Sequence, residues 1–405
     1  MALAITRQQA RHYLLQRQGL LGARRFRGAD GLLDYVRRVG CVQFDPVDIC
    51  GRSHELAFLA RVEGFTRELL YALLYERREL IDYFDKNMCV MSVGDWPSLE
   101  PTRQYFREHG RSHEAIDAIA PEVLKRVHER GCLSAQELGM KERVDWWWSA
   151  TTLARAALET LYFRGDLVIH HKRKTIKSYA LASDCLPKAL LDAPCPLQTE
   201  AQLHAWQVKR RIGAVGMLWN APSDAWLGMN GFKAAQRDAT FTSLLSAGEI
   251  VPVEVEGIKR TLYAKAEDAP LLREEARPAS GRKRARLLAP LDCLLWDRKL
   301  ISALFDFDYK WEVYTPEKQR KYAHYTLPVL DGERFAGRTE PICDRKADVL
   351  VMNRLWLEKG FRRTPAFDAA LAAAAEELRA FHGLSRVVWG ASRAEKMGDG
   401  FATAE

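Results

Sequence analysis

Apolar residues recur every three or four positions through most of the first hundred residues, a spacing typical of helices with one buried face. Thr6 and Gln9 have the spacing of a capping box and predict a helix that runs to about residue 16. Asp30 and Thr66 predict the starts of two further helices. Their predicted buried faces carry Leu32, Leu33 and Val36 in one helix, and Leu69, Leu70, Leu73 and Leu74 in the other. The first part of the chain is therefore predicted to be mainly helical.

The same succession of predicted helix, strand, turn and strand occurs twice, in residues 158–181 and in residues 241–265. In each segment a predicted apolar helix ends at a triplet of glycine, an acidic residue and an aliphatic residue. The triplet begins at Gly165 in the first segment and at Gly248 in the second. A strand, a polar turn and a second strand that ends in tyrosine follow, and two helical patterns precede each segment. Three helices and a two-stranded hairpin are the order of a winged-helix unit. We therefore predict a tandem duplication, and the first hundred residues could hold a third, more diverged copy.

Residues 267–286 form a charged stretch that is typical of a linker, and the predicted secondary structure changes after it. Short β-type runs separated by turns fill residues 287 to about 360 and suggest a small β-barrel or sandwich. An Ala-rich helix is predicted over residues 366–383, followed by a frayed tail. The predicted segments are a first winged-helix unit at 1–110, a second at 111–190, a third at 191–270, a β-barrel at 285–365, and a helix with tail at 366–405.

The composition narrows the possible partners and compartments. The 405 residues carry 61 Lys and Arg against 53 Asp and Glu, and this net charge of +8 favours a polyanionic partner without identifying one. The eight cysteines contain no C-x-x-C pair, which indicates buried thiols in a reducing compartment. His170 and His171 would face opposite ways on a strand, and no H-E-x-x-H motif occurs, so we expect no metal and no cofactor. No apolar run reaches membrane-spanning length, so we expect a cytoplasmic protein. We further expect a monomer that associates with the nucleoid.

A basic turn at residues 170–177 is the first candidate for nucleic-acid contact. It lies at the tip of the hairpin predicted for the second unit, and exposed lysines and arginines there would reach a phosphate backbone. The candidates are Lys172, Arg173, Lys174 and Lys177. The alternative is a solvated hairpin tip. Arg155, on the preceding helix, could face a DNA groove or could lie on a solvated helix face.

Residues 39–48, VGCVQFDPVD, place an amide and a carboxylate inside an apolar run. In an extended segment Gln43 and Asp45 would share one face, with Val42 and Phe44 turned the other way. Asp45 could simply cap the next segment with help from Pro46. Alternatively, the pair could hold a water molecule, which the amide orients while the carboxylate accepts its proton or stabilises a developing cation. That arrangement would suit a reaction with an oxocarbenium-like transition state.

Residues 289–346 contain an ordered series of motifs. The series is Trp296-Asp297-Arg298, Phe305 to Tyr309, Leu327 to Leu330, Gly337-Arg338 and Asp344-Arg345-Lys346. Together with the Gln-x-Asp motif after a helix and the repeated winged-helix pattern, this series resembles the AlkX/AlkZ-type (YcaQ-like) DNA glycosylases. The resemblance covers roughly residues 5–365 and is closer to the AlkX branch.

The resemblance implies a C-shaped α+β protein of three winged-helix units and a small β-barrel. It implies monofunctional removal of alkylated bases from double-stranded DNA, and unhooking of interstrand crosslinks in the AlkX branch. Gln43 and Asp45 would be the catalytic pair, and Asp45 indicates the AlkX type because the AlkZ branch has glutamine there. Many AlkX-like proteins carry Tyr-Trp-Ala-His where this chain has Tyr83 to Lys86. Lys86 thus replaces a histidine, which leaves the substrate range open.

Other basic residues are further candidates for DNA contact: Arg52, His54, Lys86, Arg338 and Lys346. An ordinary structural histidine is an equal alternative for His54, and Asp297 and Asp344 could form ion pairs within the barrel. The competing function is a non-catalytic winged-helix transcriptional regulator, which would leave the β-rich end and the Gln43 and Asp45 pair unexplained. A metal-dependent nuclease would need clustered carboxylates or histidines, which the sequence does not suggest.

Overall fold

The computed structural model describes residues 2–147, 149–173, 175–274 and 284–390. The chain has mixed α+β structure and forms two compact units. Unit 1 contains residues 1–67, 85–90 and 204–405, and unit 2 contains residues 68–84 and 91–203. The five predicted segments are a finer division and stay a prediction. Among the described residues, no helix is both long enough and apolar enough to cross a membrane.

Unit 1 holds most of the helices and two larger sheets. Its helices are Arg7–Arg17, Gly28–Val39, Ser53–Arg61, Glu200–Val215 (from residue 204), Ala234–Ser246, Ala269–Arg273, Arg298–Phe305 and Pro365–Phe381. Its strands are Leu3–Ile5, Phe26–Arg27, Cys41–Gln43, Val62–Glu63, the first part of Asn87–Ser92, Met217–Trp219, Ile250–Val255, Leu262–Lys265, Ala285–Leu287, Leu327–Asp331, Arg334–Asp344, Val349–Leu357 and Arg386–Trp389.

A four-stranded sheet in unit 1 matches the second predicted repeat. Its strands follow the order Leu3–Ile5, Ile250–Val255, Leu262–Lys265, Met217–Trp219. The hairpin is antiparallel, and Met217–Trp219 pairs antiparallel to its second strand, as in a winged-helix unit. The strand Leu3–Ile5 is added in parallel at the outer edge of the hairpin. The first strand of this hairpin is therefore an interior strand of its sheet.

A five-stranded sheet in unit 1 occupies the region of the predicted β-barrel. Its order is Ala285–Leu287, Leu327–Asp331, Arg334–Asp344, Val349–Leu357, Arg386–Trp389, so two different strands lie at its edges. Helix Pro365–Phe381 packs Phe367 and Leu371 against Val329 and Ala336 of the sheet. The hydrogen bonding within the described residues thus forms an open sheet covered by a helix, and barrel closure stays a prediction. Residues 275–283 of the predicted linker, and residues 391–405 of the predicted tail, lie outside the described residues.

Unit 2 matches the first predicted repeat. Its helices are Arg67–Tyr71 (from residue 68), Glu100–Glu108, His113–Arg130, Ala135–Leu138, Leu153–Arg164, Ala182–Cys185 and Lys188–Leu191. Its strands are Leu80–Asp85 (to residue 84), Leu133–Ser134, Arg143–Val144, Thr151–Thr152, Leu167–Arg173 and Ile176–Leu181, with the end of Asn87–Ser92. Leu133–Ser134 pairs with the second hairpin strand, so Leu167–Arg173 is an edge strand. The number of winged-helix units in the whole chain stays a prediction.

The starts of two helices can be compared with the capping residues predicted from the sequence. Thr6 and Gln9 form the predicted capping box, with the Gln9 N–H donating to Thr6 Oγ1 (3.1 Å) and the Thr6 N–H donating to Gln9 Oε1 (2.8 Å). The prediction that Asp30 caps the second helix is wrong. That helix begins at Gly28, after Arg27, and Asp30 lies within its first turn.

A buried ion pair in unit 1 joins helix Ser53–Arg61 to the segment that carries Trp296. The guanidinium of Arg61 donates to both carboxylate oxygens of Asp292 (2.6 and 2.7 Å), and both side chains are fully buried. The N–H of Leu291 also donates to Ser53 Oγ (3.2 Å). The segment 291–296 is therefore held against helix Ser53–Arg61. Removing one partner of such a pair costs about 3–5 kcal/mol, because a charge is left in the interior.

Candidate active site

Gln43 lies at the end of a short buried strand, where the backbone is fixed on both sides. The turn before the strand contains Gly40, whose φ of +79° suits glycine, and whose carbonyl accepts from Arg210 (2.8 Å). After the strand, the N–H of Phe44 donates to the carbonyl of Met88 (2.8 Å). These contacts hold Gln43 in the interior, where its side chain is 6% exposed.

Lys86 faces Gln43. The ammonium of Lys86 donates to Gln43 Oε1 (3.1 Å), and Lys86 is 3% exposed. Because an ammonium can only donate, the amide oxygen must face it, and the amide nitrogen of Gln43 must point elsewhere. The ammonium also lies 4.9 Å from the centre of the Trp296 ring, a cation–π distance. Lys86 thus fixes which way the Gln43 amide is turned.

The backbone at Lys86 is itself held in place. Asn87 has a φ of +58°, and Gly228 approaches so closely that a Cβ there would lie 2.5 Å from the carbonyl oxygen of Asp85. Asp85 is fully buried and forms ion pairs with Arg210 (2.8 Å) and Arg211. Burial would raise the pKa of Asp85, but these two guanidiniums hold that pKa well below its usual range. The turn that presents Lys86 is therefore anchored by charge and by close packing.

The pKa of the Lys86 ammonium lies below that of an ordinary lysine. Burial lowers this pKa to about 8, and the positive charge of Arg211 acts in the same direction. Lys86 was predicted to contact DNA. In the structure it lies inside unit 1 against Gln43, and this burial argues against a surface contact.

Asp45 lies two residues after the end of the strand and is partly exposed. The N–H of Val47 donates to Asp45 Oδ1 (2.8 Å), which is the capping contact that the sequence offered as an alternative. Burial raises the pKa of Asp45, although this hydrogen bond opposes the rise. A carboxylate with a raised pKa is a better proton acceptor. Because the strand ends at Gln43, the alternation of side chains along a strand does not determine which way Asp45 points.

Three residues near this motif turn inward. Phe44 packs on the ring of His54, with 4.6 Å between the ring centroids, and His54 is 2% exposed. The Arg52 side chain is 13% exposed and lies 3.7 Å from Glu55. Burial therefore argues against the predicted phosphate contacts of Arg52 and His54. For His54, the structural alternative fits better.

The basic hairpin of unit 2 divides into residues that point inward and residues that point outward. Lys172 is an inward residue, because its ammonium pairs with the buried carboxylate of Asp82. Lys177 is half-buried and lies 3.9 Å from Glu159, and burial lowers its pKa. Arg173 is exposed, and Lys174 lies outside the described residues. Among the four predicted candidates, Arg173 is therefore the most exposed within the described residues, and its contact with DNA stays a prediction.

Two further candidates for DNA contact lie on the surface. The Arg155 side chain is 59% exposed and donates to Glu159 (3.1 Å). Lys346 is exposed in a turn that Asp344 stabilises by accepting from two backbone N–H groups (both 3.0 Å). Their contact with DNA stays a prediction.

Known proteins match this chain over most of its length. The family model described as DNA glycosylase AlkZ-like matches residues 36–381, a range that includes Gln43, Asp45 and Lys86. The chain belongs to the AlkZ-like DNA glycosylase family. Among solved structures, the Streptomyces sahachiroi DNA glycosylase AlkZ has a TM-score of 0.60 and 18% sequence identity, and covers 96% of this chain and 99% of its own. At this identity the likeness concerns the fold. The predicted family is confirmed, while the AlkX branch stays a prediction.

Two residues of the C-terminal motifs of this AlkZ-like chain, Arg338 and Asp297, make contacts inside unit 1. Arg338 is 1% exposed, pairs with Glu358 (2.6 Å), and lies between the rings of Phe307 (4.7 Å) and Tyr322 (4.0 Å). This burial argues against the predicted contact of Arg338 with DNA. Asp297 caps helix Arg298–Phe305 by accepting from the Leu300 N–H (2.9 Å), which is a structural role other than the suggested ion pair.

Two residues of the site were missed by the sequence argument. Trp296 was noted only as part of a motif, and it lies against Lys86. Tyr325 donates to the carbonyl of Gly51 (3.3 Å), and its pKa is raised by burial and, among other negative groups, by Asp45. Both residues come from the C-terminal third, so no local pattern around Gln43 could have indicated them.

Proposed function

We propose that this AlkZ-like DNA glycosylase hydrolyses the N-glycosidic bond of cationic alkylated purines of the N7-alkylguanine and N3-alkyladenine type. The proposal rests mainly on one observation, the hydrogen bond from buried Lys86 to Gln43, two residues before Asp45 and inside the matched region. The Gln-x-Asp motif favours the AlkX branch. The proposed three winged-helix units and barrel belong to the same hypothesis.

The chemistry follows from the charge of the substrate. An alkylated purine of this type already carries a positive charge, so it leaves without a general acid. The enzyme has to stabilise the positive sugar and deliver water. Asp45 would face the developing cation and accept a proton from the water, helped by its raised pKa. This reaction needs no metal and no second nucleophile, so we propose a metal-independent, monofunctional enzyme.

Lys86 gives Gln43 a defined role in this scheme. With its oxygen held by Lys86, the Gln43 amide offers its N–H groups to the oxygen of the attacking water. The water is then oriented by a donor on one side and by the Asp45 carboxylate on the other. Lys86 is a positioning residue, since it acts through Gln43.

The decisive experiment uses a DNA duplex with a single N7-methylguanine. Under single-turnover conditions the wild type should release the free base and leave an abasic site in an intact strand, also when EDTA is added with the DNA. Asp45→Asn should reduce base release by ~100-fold or more and leave DNA affinity nearly unchanged. Asp48→Asn is the matched control, because Asp48 is an exposed carboxylate of the same loop.

Three outcomes would contradict the proposal. Base release by Asp45→Asn at the wild-type rate would exclude Asp45 from the reaction. A shift of the DNA in a gel without base release would support a non-catalytic DNA-binding regulator. Strand cleavage at the abasic site without alkali, with a borohydride-trapped adduct at Lys86, would show a lyase in place of a monofunctional enzyme.

Crosslinked DNA is the broader substrate class of this proposal. A base tethered to the opposite strand is not easily flipped into a closed pocket, so an enzyme that unhooks it must reach the bond with little flipping. An N7–N7 crosslinked duplex tests this directly. Release of the tether from one strand by the wild type, and not by Asp45→Asn, is expected.

A further inference from the structure

Unit 2 contains a cluster of metal-ligating side chains that the glycosylase chemistry does not use. Cys132 follows helix His113–Arg130, and His170 and His171 lie on the edge strand of the hairpin. One ligand atom from each residue lies within 4.8 Å of the other two. The two imidazole Nδ1 atoms are 2.9 Å apart.

An irregularity in the hairpin creates this arrangement. Neighbouring residues of a regular strand point to opposite faces, so His170 and His171 were predicted to face opposite ways. That prediction is wrong, because the pairing register shifts between Ile169 and His171, and the extra residue reorients the side chains. Such bulges are most frequent at sheet edges, and Leu167–Arg173 is an edge strand.

The donor set suits zinc better than a hard cation. Imidazole nitrogen and thiolate sulfur are ligands of zinc, whereas calcium and magnesium prefer oxygen. At zinc distances of about 2.0 Å to nitrogen and 2.3 Å to sulfur, tetrahedral ligands lie about 3.3–3.6 Å apart. The two imidazole Nδ1 atoms lie 2.9 Å apart, and the three ligand atoms all lie within 4.8 Å of one another. One zinc ion would therefore fit among them once the side chains rotate to tetrahedral positions.

We propose that Cys132, His170 and His171 bind one Zn²⁺ ion, with water in the fourth position. Cys185, a neighbouring thiol, already accepts from Arg78 (3.5 Å), and we leave it out of the ligand set. The ion would tie the end of helix His113–Arg130 to the hairpin that carries Arg173. It would act on the structure of unit 2, independently of Gln43 and Asp45 in unit 1.

The first test measures metal content in protein without a histidine tag. After incubation with zinc and desalting, the wild type should retain about one equivalent by elemental analysis. Cys132→Ser, His170→Ala and His171→Ala should each lose the metal. Cys195→Ser and His109→Ala are the matched controls, since both residues lie in unit 2 outside the cluster, and both variants should retain it.

A second test needs only the wild type, so it does not depend on the folding of variants. Zinc should protect Cys132 from alkylation by iodoacetamide and leave Cys195 reactive, as read by peptide mass spectrometry. Replacement of zinc by Co²⁺ should give a thiolate-to-cobalt absorption band. The proposal is overturned if the wild type holds no zinc, if the three ligand variants keep it, or if Cys132 is not protected. In that case the two histidines form only an imidazole–imidazole hydrogen bond.

Discussion

Lys86 in unit 1 and Lys172 in unit 2 are both lysines with buried side chains, but the groups that face them differ. Lys86 donates to a neutral amide, and burial together with Arg211 lowers its pKa. Lys172 faces the carboxylate of Asp82, which is 3% exposed. A carboxylate partner compensates the buried charge and makes a structural pair, whereas an amide partner leaves a charge that can titrate and orient its neighbour. The partner therefore decides what a buried lysine can do.

The largest expected effect comes from breaking the pair in unit 2. Lys172→Met should lower the unfolding free energy of unit 2 by about 3–5 kcal/mol, because Asp82 would be left as an uncompensated charge in the interior. Urea titration followed by hydrogen exchange of residues 167–181 measures this. The double variant Asp82→Leu/Lys172→Met should recover most of the loss. Weaker DNA binding without loss of stability would instead mean that Lys172 serves DNA.

The matching change in unit 1 should affect the reaction more than the fold. Lys86→Met removes the donor to Gln43, so the amide can rotate and misplace the water, and we expect about a 100-fold slower release of N7-methylguanine. Single-turnover kinetics give the rate, and a binding titration with the same duplex gives the affinity, which should change little. Lys86→Arg, which keeps a donor, should retain more activity than Lys86→Met. Equal rates for wild type and Lys86→Met would remove Lys86 from the site.

A smaller effect follows from the pKa of Lys86. Because burial lowers this pKa from 10.5 to about 8, the unfolded chain binds more protons than the folded chain between these pH values. The contribution of Lys86 to stability therefore rises as the pH rises from about 8 to about 10.5. Base release should show the opposite trend and decline above about pH 8, as the ammonium that holds Gln43 loses its charge. A pH–rate profile measures this, and a decline that persists in Lys86→Met would assign the titration to another group.

The sequence predicted the parts of the fold that short-range patterns determine. The capping box at Thr6 and the helix ends at Gly165 and Gly248 are local signals, and each appears in the structure. The two-stranded hairpin of each repeat was predicted from their matching order and is present in the structure. These elements depend on residues that are close to each other in the chain, so a single sequence is sufficient to predict them.

The sequence indicated only some residues of the candidate site, because the others come from distant parts of the chain. Gln43 and Asp45 stood out as polar residues in an apolar run, but nothing near them indicates Lys86 or Trp296. The side-chain directions of His170 and His171 were missed for another reason. A bulge changes alternation through hydrogen bonding with the partner strand, and residue types do not reveal it.

The strand Leu3–Ile5 has a consequence for how the protein is made. It pairs with Ile250–Val255, which leaves the ribosome about 250 residues later. At roughly 5–20 residues per second, the first strand waits roughly 10 to 50 seconds for its partner. All residues of unit 2 are synthesised during that interval. The basic hairpin can therefore fold on the nascent chain while the four-stranded sheet of unit 1 is still incomplete, and that sheet closes only when synthesis has passed the second repeat.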